Sequence, residues 1–164
     1  MCNLYSETKG QDAIRVLAGA MRDKTGNLPP MPGIFPDYMA PIVRNTSDGR
    51  ELAMGRWGLP SPQSTLVGKK CDPDVTNVRN TKSSHWRRWL AVENRCVVPF
   101  TAFSEPEPLP DGRRPPAWFA FDESRPLAFF AGIWVPQWKS VRKVKEGERY
   151  ASGEGRLDRI TGER

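Results

Sequence analysis

Short apolar runs bounded by turn-forming residues constrain the fold of this chain more than any other feature of its sequence. RCVVPFTAFSE, AWFAF and PLAFFAGIWV are rich in β-branched and aromatic residues, a composition that is typical of strands. APIVR and ELAMGRWGL indicate two further strands, joined at a turn that contains Asp48-Gly49. The 16 Pro and 14 Gly residues predict many turns and loops between these strands.

Two helices are predicted beside the strands. Ile14, Leu17 and Met21 follow Ser6, a candidate cap, at helical spacing, which predicts a helix over about residues 7–22. HWRRWLAVE indicates the second helix, and the Pro-rich segment NLPPMPGIFPDYMAP predicts a long surface loop.

The pattern as a whole predicts an α+β fold: a β-rich, curved antiparallel sheet or barrel-like core with a few flanking helices. We expect one domain over residues 1–145. Residues 146–164 are charged and lack apolar periodicity, so we expect a weakly ordered C-terminal tail there.

Charge and cysteine content restrict the classes of function. The 25 Lys and Arg residues against 19 Asp and Glu give a net charge of +6, which fits a polyanionic partner without requiring one. The three cysteines form no CxxC pair and no Cys/His cluster occurs, so we expect no metal site and no cofactor. The polar opening and the lack of a long apolar run predict a cytoplasmic protein without a membrane segment, which we expect to be a monomer.

Cys2 lies directly behind the initiator methionine. Removal of Met1 would give Cys2 a free α-amine beside its thiol, with ordinary pKa values of about 8 and about 8.5. Both groups are then reactive near neutral pH. The alternative is that Cys2 is an early buried residue, since free cysteines are often buried.

Other candidates occur in three short segments. In TNVRN, Asn77 and Arg79 would share one face of a strand. Glu105 follows an apolar run; it is either a desolvated acid–base group with a raised pKa or a solvated turn residue. In GRWGL, Arg56 could meet phosphate while Trp57 either stacks a base or lies in the core. His85, the single histidine, is expected at the surface of a basic helix start.

The order of these segments resembles a known family. Cys2, YMAPIVR, GRWGLPSP, TNVRNT, RCVVPFTAFSEP and PLAFFAGIWV follow one another as the motifs of the SOS response-associated peptidase (SRAP) family do, over roughly residues 1–145. The resemblance implies a mixed α/β domain with a barrel-like core and a basic groove. It also implies a sensor of abasic sites in single-stranded DNA that forms a covalent protein–DNA crosslink, a lyase-like activity, and that removes its own Met1.

The resemblance assigns roles residue by residue. It implies that Cys2 is the nucleophile, Asn77 an active-site amide and Glu105 the catalytic carboxylate. Arg79 would contact phosphate, and Pro41 and Trp57 would line the DNA-binding face. Arg56, Arg87 and Arg88 would add phosphate contacts.

This sequence also departs from the family pattern. Asn3-Leu4 stands where the family has Gly-Arg, and Phe103-Ser104-Glu105-Pro106 replaces Phe-Tyr-Glu-Trp. A late catalytic histidine followed by Met-Pro has no counterpart after Val144. Two alternatives therefore stay open: a glutamine amidotransferase that uses an N-terminal cysteine, and a DNA-binding protein without catalytic activity.

Overall fold

A computed structural model describes residues 3–136 and the backbone of 158–163. Within these residues there are eleven strands: β1 (Leu4–Glu7), β2 (Arg22–Asp23), β3 (Met31–Ile34), β4 (Met39–Thr46), β5 (Gly49–Trp57), β6 (Asn77–Val78), β7 (Arg95–Phe100), β8 (Ala102–Pro106), β9 (Pro116–Phe119), β10 (Ala128–Val135) and β11 (Asp158–Glu163). The α-helices are α1 (Gln11–Ala18) and α2 (Ser84–Arg87), and single 3₁₀ turns occur at Gln63–Thr65 and Val92–Asn94.

The strands form two sheets. The four-stranded sheet has the order β3-β1-β8-β9, and the seven-stranded sheet has the order β2-β5-β4-β7-β10-β11-β6. Strand β11 also pairs with β5, so β5, β4, β7, β10 and β11 close into a ring. The predicted strand-rich α+β fold with few helices is therefore confirmed.

The main core joins the two sheets. Tyr5 and Ile34 from the smaller sheet pack against Ile42, Trp57 and Phe100 from the larger one. Inside this core the Phe100 and Phe130 rings stack with centroids 3.8 Å apart. A second cluster forms beneath α1, and a third forms around Trp86 of α2.

The first helix is shorter than predicted. Ser6 does not cap it, because Ser6 lies in β1 and its side chain is buried beside Thr101. The helix begins after Gly10, whose backbone is extended, and ends at Gly19, which has a positive φ of 61°. Gly19 can adopt this left-handed conformation because it has no Cβ.

Three other segments differ from their predictions. The second predicted helix is reduced to the four residues of α2, because the backbone is already extended at Ala91. The predicted loop over residues 27–41 contains β3 and the start of β4. Pro32 is tolerated there because β3 is an edge strand.

Asp158–Glu163 lie within the predicted tail yet form β11 through backbone pairing, which needs no side-chain periodicity. The rest of that tail lies outside the described residues.

The predicted hairpin is present as expected. Strands β4 and β5 pair over their whole length, with Thr46 opposite Gly49 at the turn and Met39 opposite Arg56 at the other end. Strands β7 and β8 follow one another closely in the chain but join different sheets. Strand β8 thereby carries Glu105 to the sheet that also contains the start of the chain.

Candidate functional site

Strand β1 places the start of the chain beside β8. Leu4 lies opposite Ser104 and Tyr5 opposite Phe103 in an antiparallel register. Asn3 directly precedes Leu4, and Glu105 directly follows Ser104, the partner of Leu4. Cys2 itself lies outside the described residues.

A short hydrogen-bond chain links Asn3 to Asn77. The Thr76 hydroxyl donates to Oδ1 of Asn3 at 3.4 Å, and Nδ2 of Asn77 donates to the Thr76 hydroxyl at 3.0 Å. Asn77 is half-buried in the two-residue strand β6. The fold therefore brings together the residue next to Cys2 and the candidate amide, which are far apart in sequence.

Glu105 is a strand residue. It is half-buried in β8, opposite Ala117 of β9, so it does not occupy the solvated turn that was the alternative. Because side chains alternate along a strand, Glu105 shares its face with Phe103, which packs against the main core. Glu105 thus lies at the edge of an apolar region, one residue beyond the partner of Leu4.

Trp57 and Pro41 do not form an exposed DNA-binding face. Trp57 is 5% exposed, and its ring packs edge-on against Tyr5 with centroids 5.0 Å apart. Pro41 is buried in β4. The core interpretation of Trp57 therefore fits the structure, because a base would have to displace Tyr5 to reach the ring. Instead, Nε1 of Trp57 donates to the backbone carbonyl of Thr76 at 3.2 Å.

Arg56 is held by an acidic neighbour. Its Nη1 lies 3.2 Å from Oδ1 of Asp37, and the two side chains are 28% and 41% exposed. Asp37 has a positive φ of 77°, which is uncommon outside glycine. The Asp37 backbone is fixed by its N–H bond to the Trp57 carbonyl at 2.8 Å. A phosphate approaching Arg56 would therefore compete with Asp37.

An aromatic pair that the sequence did not single out lies beside this ion pair. Phe35 and Tyr38 are 41% and 42% exposed, and their rings meet edge-on with centroids 5.6 Å apart. A Cβ built at Gly33 would lie 3.5 Å from the Phe35 ring and 3.8 Å from Leu4. Phe35 therefore lies near β1. Their position among the Pro residues of IFPDYMAP is the available signal in the sequence, although the same Pro-rich segment predicts a surface loop.

The remaining basic candidates lie on and around α2. The prediction that Arg79 lies on the same strand as Asn77 is wrong, because β6 ends at Val78. Arg79 follows the strand and is exposed. Arg87 and Arg88 are exposed, and the Arg88 guanidinium lies 4.7 Å from the centroid of the Trp89 ring. Planar guanidinium groups favour such stacking.

His85 is not the exposed residue that was predicted. Its side chain is half-buried, with Nε2 3.0 Å from the Pro60 carbonyl oxygen. Because a carbonyl oxygen only accepts, Nε2 carries the proton of this bond. The imidazole also meets the Trp86 ring edge-on with centroids 4.4 Å apart. His85 thus serves to anchor α2.

Within residues 3–136, no group of three or more His, Cys, Asp or Glu side chains could hold a metal ion. No helix in the described part of the chain is long and apolar enough to cross a membrane.

Comparison with known families matches residues 1–153 to the family described as SOS response associated peptidase (SRAP). The resemblance inferred from the order of the motifs is thereby confirmed. No curated protein matches the chain.

Solved structures share the fold. A protein from Bordetella bronchiseptica is 22% identical with a TM-score of 0.60, and the match covers 99% of this chain and 71% of that one. A phage-related protein from the same organism is 16% identical with a TM-score of 0.63, covering 99% and 68%. A protein from Bacteroides thetaiotaomicron is 17% identical with a TM-score of 0.63, covering 99% and 67%. At these identities the likeness concerns the fold.

Proposed function

Because the chain belongs to the SOS response associated peptidase (SRAP) family, we propose that it recognises abasic sites in single-stranded DNA and joins them covalently to Cys2. The observation that carries this proposal is the placement of Asn3. The residue directly after Cys2 contacts Thr76, which in turn contacts Asn77, and the β1–β8 register leads it toward Glu105. Since Cys2 is bonded directly to Asn3, the proposal requires Cys2 to reach both groups across one peptide unit.

The chemistry needs an amine and a thiol on one residue. Hydrolysis of the Met1–Cys2 peptide bond consumes one water and frees the amine of Cys2. The opened sugar of an abasic site presents an aldehyde at C1′. The amine adds to that carbon and one water leaves, which gives an imine. The Cys2 sulfur then adds to the imine carbon, and its proton passes to the nitrogen. The product is a five-membered thiazolidine, and ring closure is favoured because both reacting atoms belong to one residue.

Asn77 and Glu105 supply the remaining chemistry in this proposal. The Asn77 amide would hold the hydroxyl groups of the opened sugar by hydrogen bonds. Glu105 would move protons as the sugar ring opens and as water leaves the amine adduct. A positioned general acid–base group of this kind contributes roughly 10²–10⁴-fold in rate.

DNA contacts follow from charge and exposure. The exposed Arg79, Arg87 and Arg88 would neutralise backbone phosphates. We assign base stacking to Phe35 and Tyr38, because both are partly exposed near β1 while Trp57 and Pro41 are buried. A stacking platform needs unpaired bases, so single-stranded DNA is the expected substrate.

Incubation with an oligonucleotide that carries one abasic site tests the proposal. We expect mass spectrometry to show loss of Met1 and a heat-stable adduct on Cys2 in denaturing gels. Cys2→Ala should lose that adduct. Cys71→Ala is the matched control, because it removes a half-buried thiol far from Cys2 in the sequence, and it should retain the adduct.

An oligonucleotide without the abasic site should give no adduct with any variant. An adduct that survives in Cys2→Ala and maps to Lys69 or Lys70 would contradict the assignment of Cys2. Binding without any covalent product would instead favour a DNA-binding protein that lacks this activity.

A further inference from the structure

Thr76 stands between the two asparagines of the candidate site. Its hydroxyl carries a single proton, and Nδ2 of an asparagine cannot accept a hydrogen bond. The proton must therefore go to Oδ1 of Asn3, while the hydroxyl oxygen accepts from Nδ2 of Asn77. This direction fixes the amide of Asn77 with its nitrogen side toward Thr76.

The backbone of Thr76 is itself fixed to the core. Its carbonyl accepts the indole N–H of Trp57 at 3.2 Å, and Trp57 is 5% exposed and packed against Tyr5. A threonine side chain also has few rotamers, because it branches at Cβ. The hydroxyl is therefore placed by a rigid part of the molecule.

Asn3 completes the arrangement. The family pattern has glycine at this position, which offers no side-chain acceptor, whereas Asn3 supplies Oδ1 to Thr76. One hydroxyl thereby tethers the residue next to Cys2 and orients the amide that would hold the substrate.

We propose that Thr76 is a positioning residue that aligns Cys2 and Asn77 for the reaction with the abasic site. This inference rests on the proposed function. Thr76 acts through its hydrogen bonds with Asn3 and Asn77. Its removal should slow the covalent step and leave the initial binding of DNA unchanged.

Rates of adduct formation in Thr76→Val and Thr76→Ser test the proposal. Valine keeps the shape and removes the hydroxyl, so the rate at saturating DNA should fall about tenfold, the effect of losing a hydrogen bond of ordinary strength. Serine keeps the hydroxyl and should restore most of the rate. The Kd of the non-covalent complex, measured with undamaged oligonucleotide, should be unchanged in both variants.

A double-mutant cycle separates positioning from general destabilisation. Once Asn77→Ala has removed the amide, adding Thr76→Val should lower the rate of adduct formation much less than Thr76→Val does alone, because the two residues act as one unit. The Asn77 side-chain amide signal in a ¹⁵N NMR spectrum should shift in Thr76→Val and return in Thr76→Ser.

Two failures can be told apart. If the unmodified protein forms no adduct, the proposed function is wrong. If it forms the adduct and Thr76→Val reacts at the same rate, or if the amide signal does not move, the positioning role is wrong and the proposed function stands. Equal losses in Thr76→Val and Thr76→Ser would also overturn the role of the hydroxyl.

Discussion

Glu7 and Glu51 are buried carboxylates whose pKa values are shifted in opposite directions by their surroundings. Glu7 is 0% exposed, and burial raises its pKa although Oε1 accepts the Lys9 backbone N–H at 2.8 Å. Glu51 is 1% exposed. Burial alone would raise its pKa too, but hydrogen bonds and charge from Lys24 and Arg44 bring the pKa below its ordinary value. Both cations lie 2.9 Å from its oxygens.

Stability should therefore depend on pH with opposite signs at the two positions. The raised pKa of Glu7 means that the folded protein binds the proton more tightly than the unfolded chain does, so this residue lowers stability as pH rises above its ordinary value of 4.5. Glu7→Gln should stabilise the protein near pH 7 by roughly 1–3 kcal/mol, and the gain should vanish below about pH 4. Urea unfolding between pH 3 and 8 measures this difference.

Glu51→Gln is the matched comparison. The lowered pKa means that ionised Glu51 stabilises the fold above its ordinary value of 4.5 and that this contribution disappears as pH falls through the lower folded pKa. The variant should be less stable than the unmodified protein near pH 7, and the two should converge in acid. A loss of stability in Glu7→Gln at pH 7 would show that the Glu7 carboxylate is compensated in the folded state.

At the level of single residues, sequence motifs predict some candidate site residues, whereas burial and spatial contacts depend on packing that the motifs do not encode. The motifs predict Asn77 and Glu105 as site residues, and the fold places Asn77 near Asn3 and Glu105 next to the partner of Leu4. The burial of Trp57 could not be read from GRWGL, because it depends on packing against Tyr5 from another sheet. Thr76 carried no signal of its own, since its importance comes from contacts with both neighbours in space.

At the scale of elements, the connection between β3 and β4 is more structured than its Pro-rich sequence predicts. Backbone bonds between Asp37 and Trp57 and between Trp57 and Tyr38, at 2.8 and 3.0 Å, fix it to the end of β5. Apolar periodicity does not encode such backbone bonds, whereas the hairpin of β4 and β5 has both alternation and a turn signal. The hairpin was therefore predictable and the ordered connection was not.

This connection should bind unpaired bases. Phe35→Leu and Tyr38→Leu keep apolar volume but remove the aromatic face, and each should weaken non-covalent binding of single-stranded DNA by roughly tenfold, since stacking on one base is worth about 1–3 kcal/mol. Phe121→Leu is the control, because Phe121 is 75% exposed and lies outside the connection between β3 and β4. Fluorescence anisotropy with a labelled oligonucleotide gives the affinities. Equal effects of all three substitutions would contradict a specific platform.

At the scale of the whole molecule, the fold unites the ends of several elements at one place. Strand β1 runs through the centre of the smaller sheet, while β5 and β6 belong to the larger one. The candidate site lies where the two sheets meet, so its residues come from different parts of the sequence. Strand-rich composition predicted the class of fold, but pairing between distant strands, such as β11 with β5, has no local signature.

The net charge of +6 also acts at this scale, and it can be separated from local contacts. Every lysine or arginine contributes to the long-range attraction of DNA, but only those that touch phosphate release a counterion on binding. Arg79 is exposed and lies two residues after Asn77. Arg22 pairs with Asp48 near the turn of the β4–β5 hairpin, at the opposite end from Arg56. Replacing either by alanine changes the net charge equally.

Arg79→Ala should weaken binding to single-stranded DNA of every sequence and reduce the slope of log K against log salt concentration by about 0.7, the value for one phosphate contact on a single strand. Arg22→Ala should leave that slope unchanged, because Arg22 lies away from the site and only its share of the long-range field is lost. Titrations of undamaged oligonucleotides of several sequences at four or more salt concentrations measure both slopes.

If the two variants lose affinity equally and the slopes are unchanged, Arg79 acts through net charge alone. If the loss of affinity depends on the flanking bases, Arg79 contacts bases, because a phosphate contact carries no sequence information.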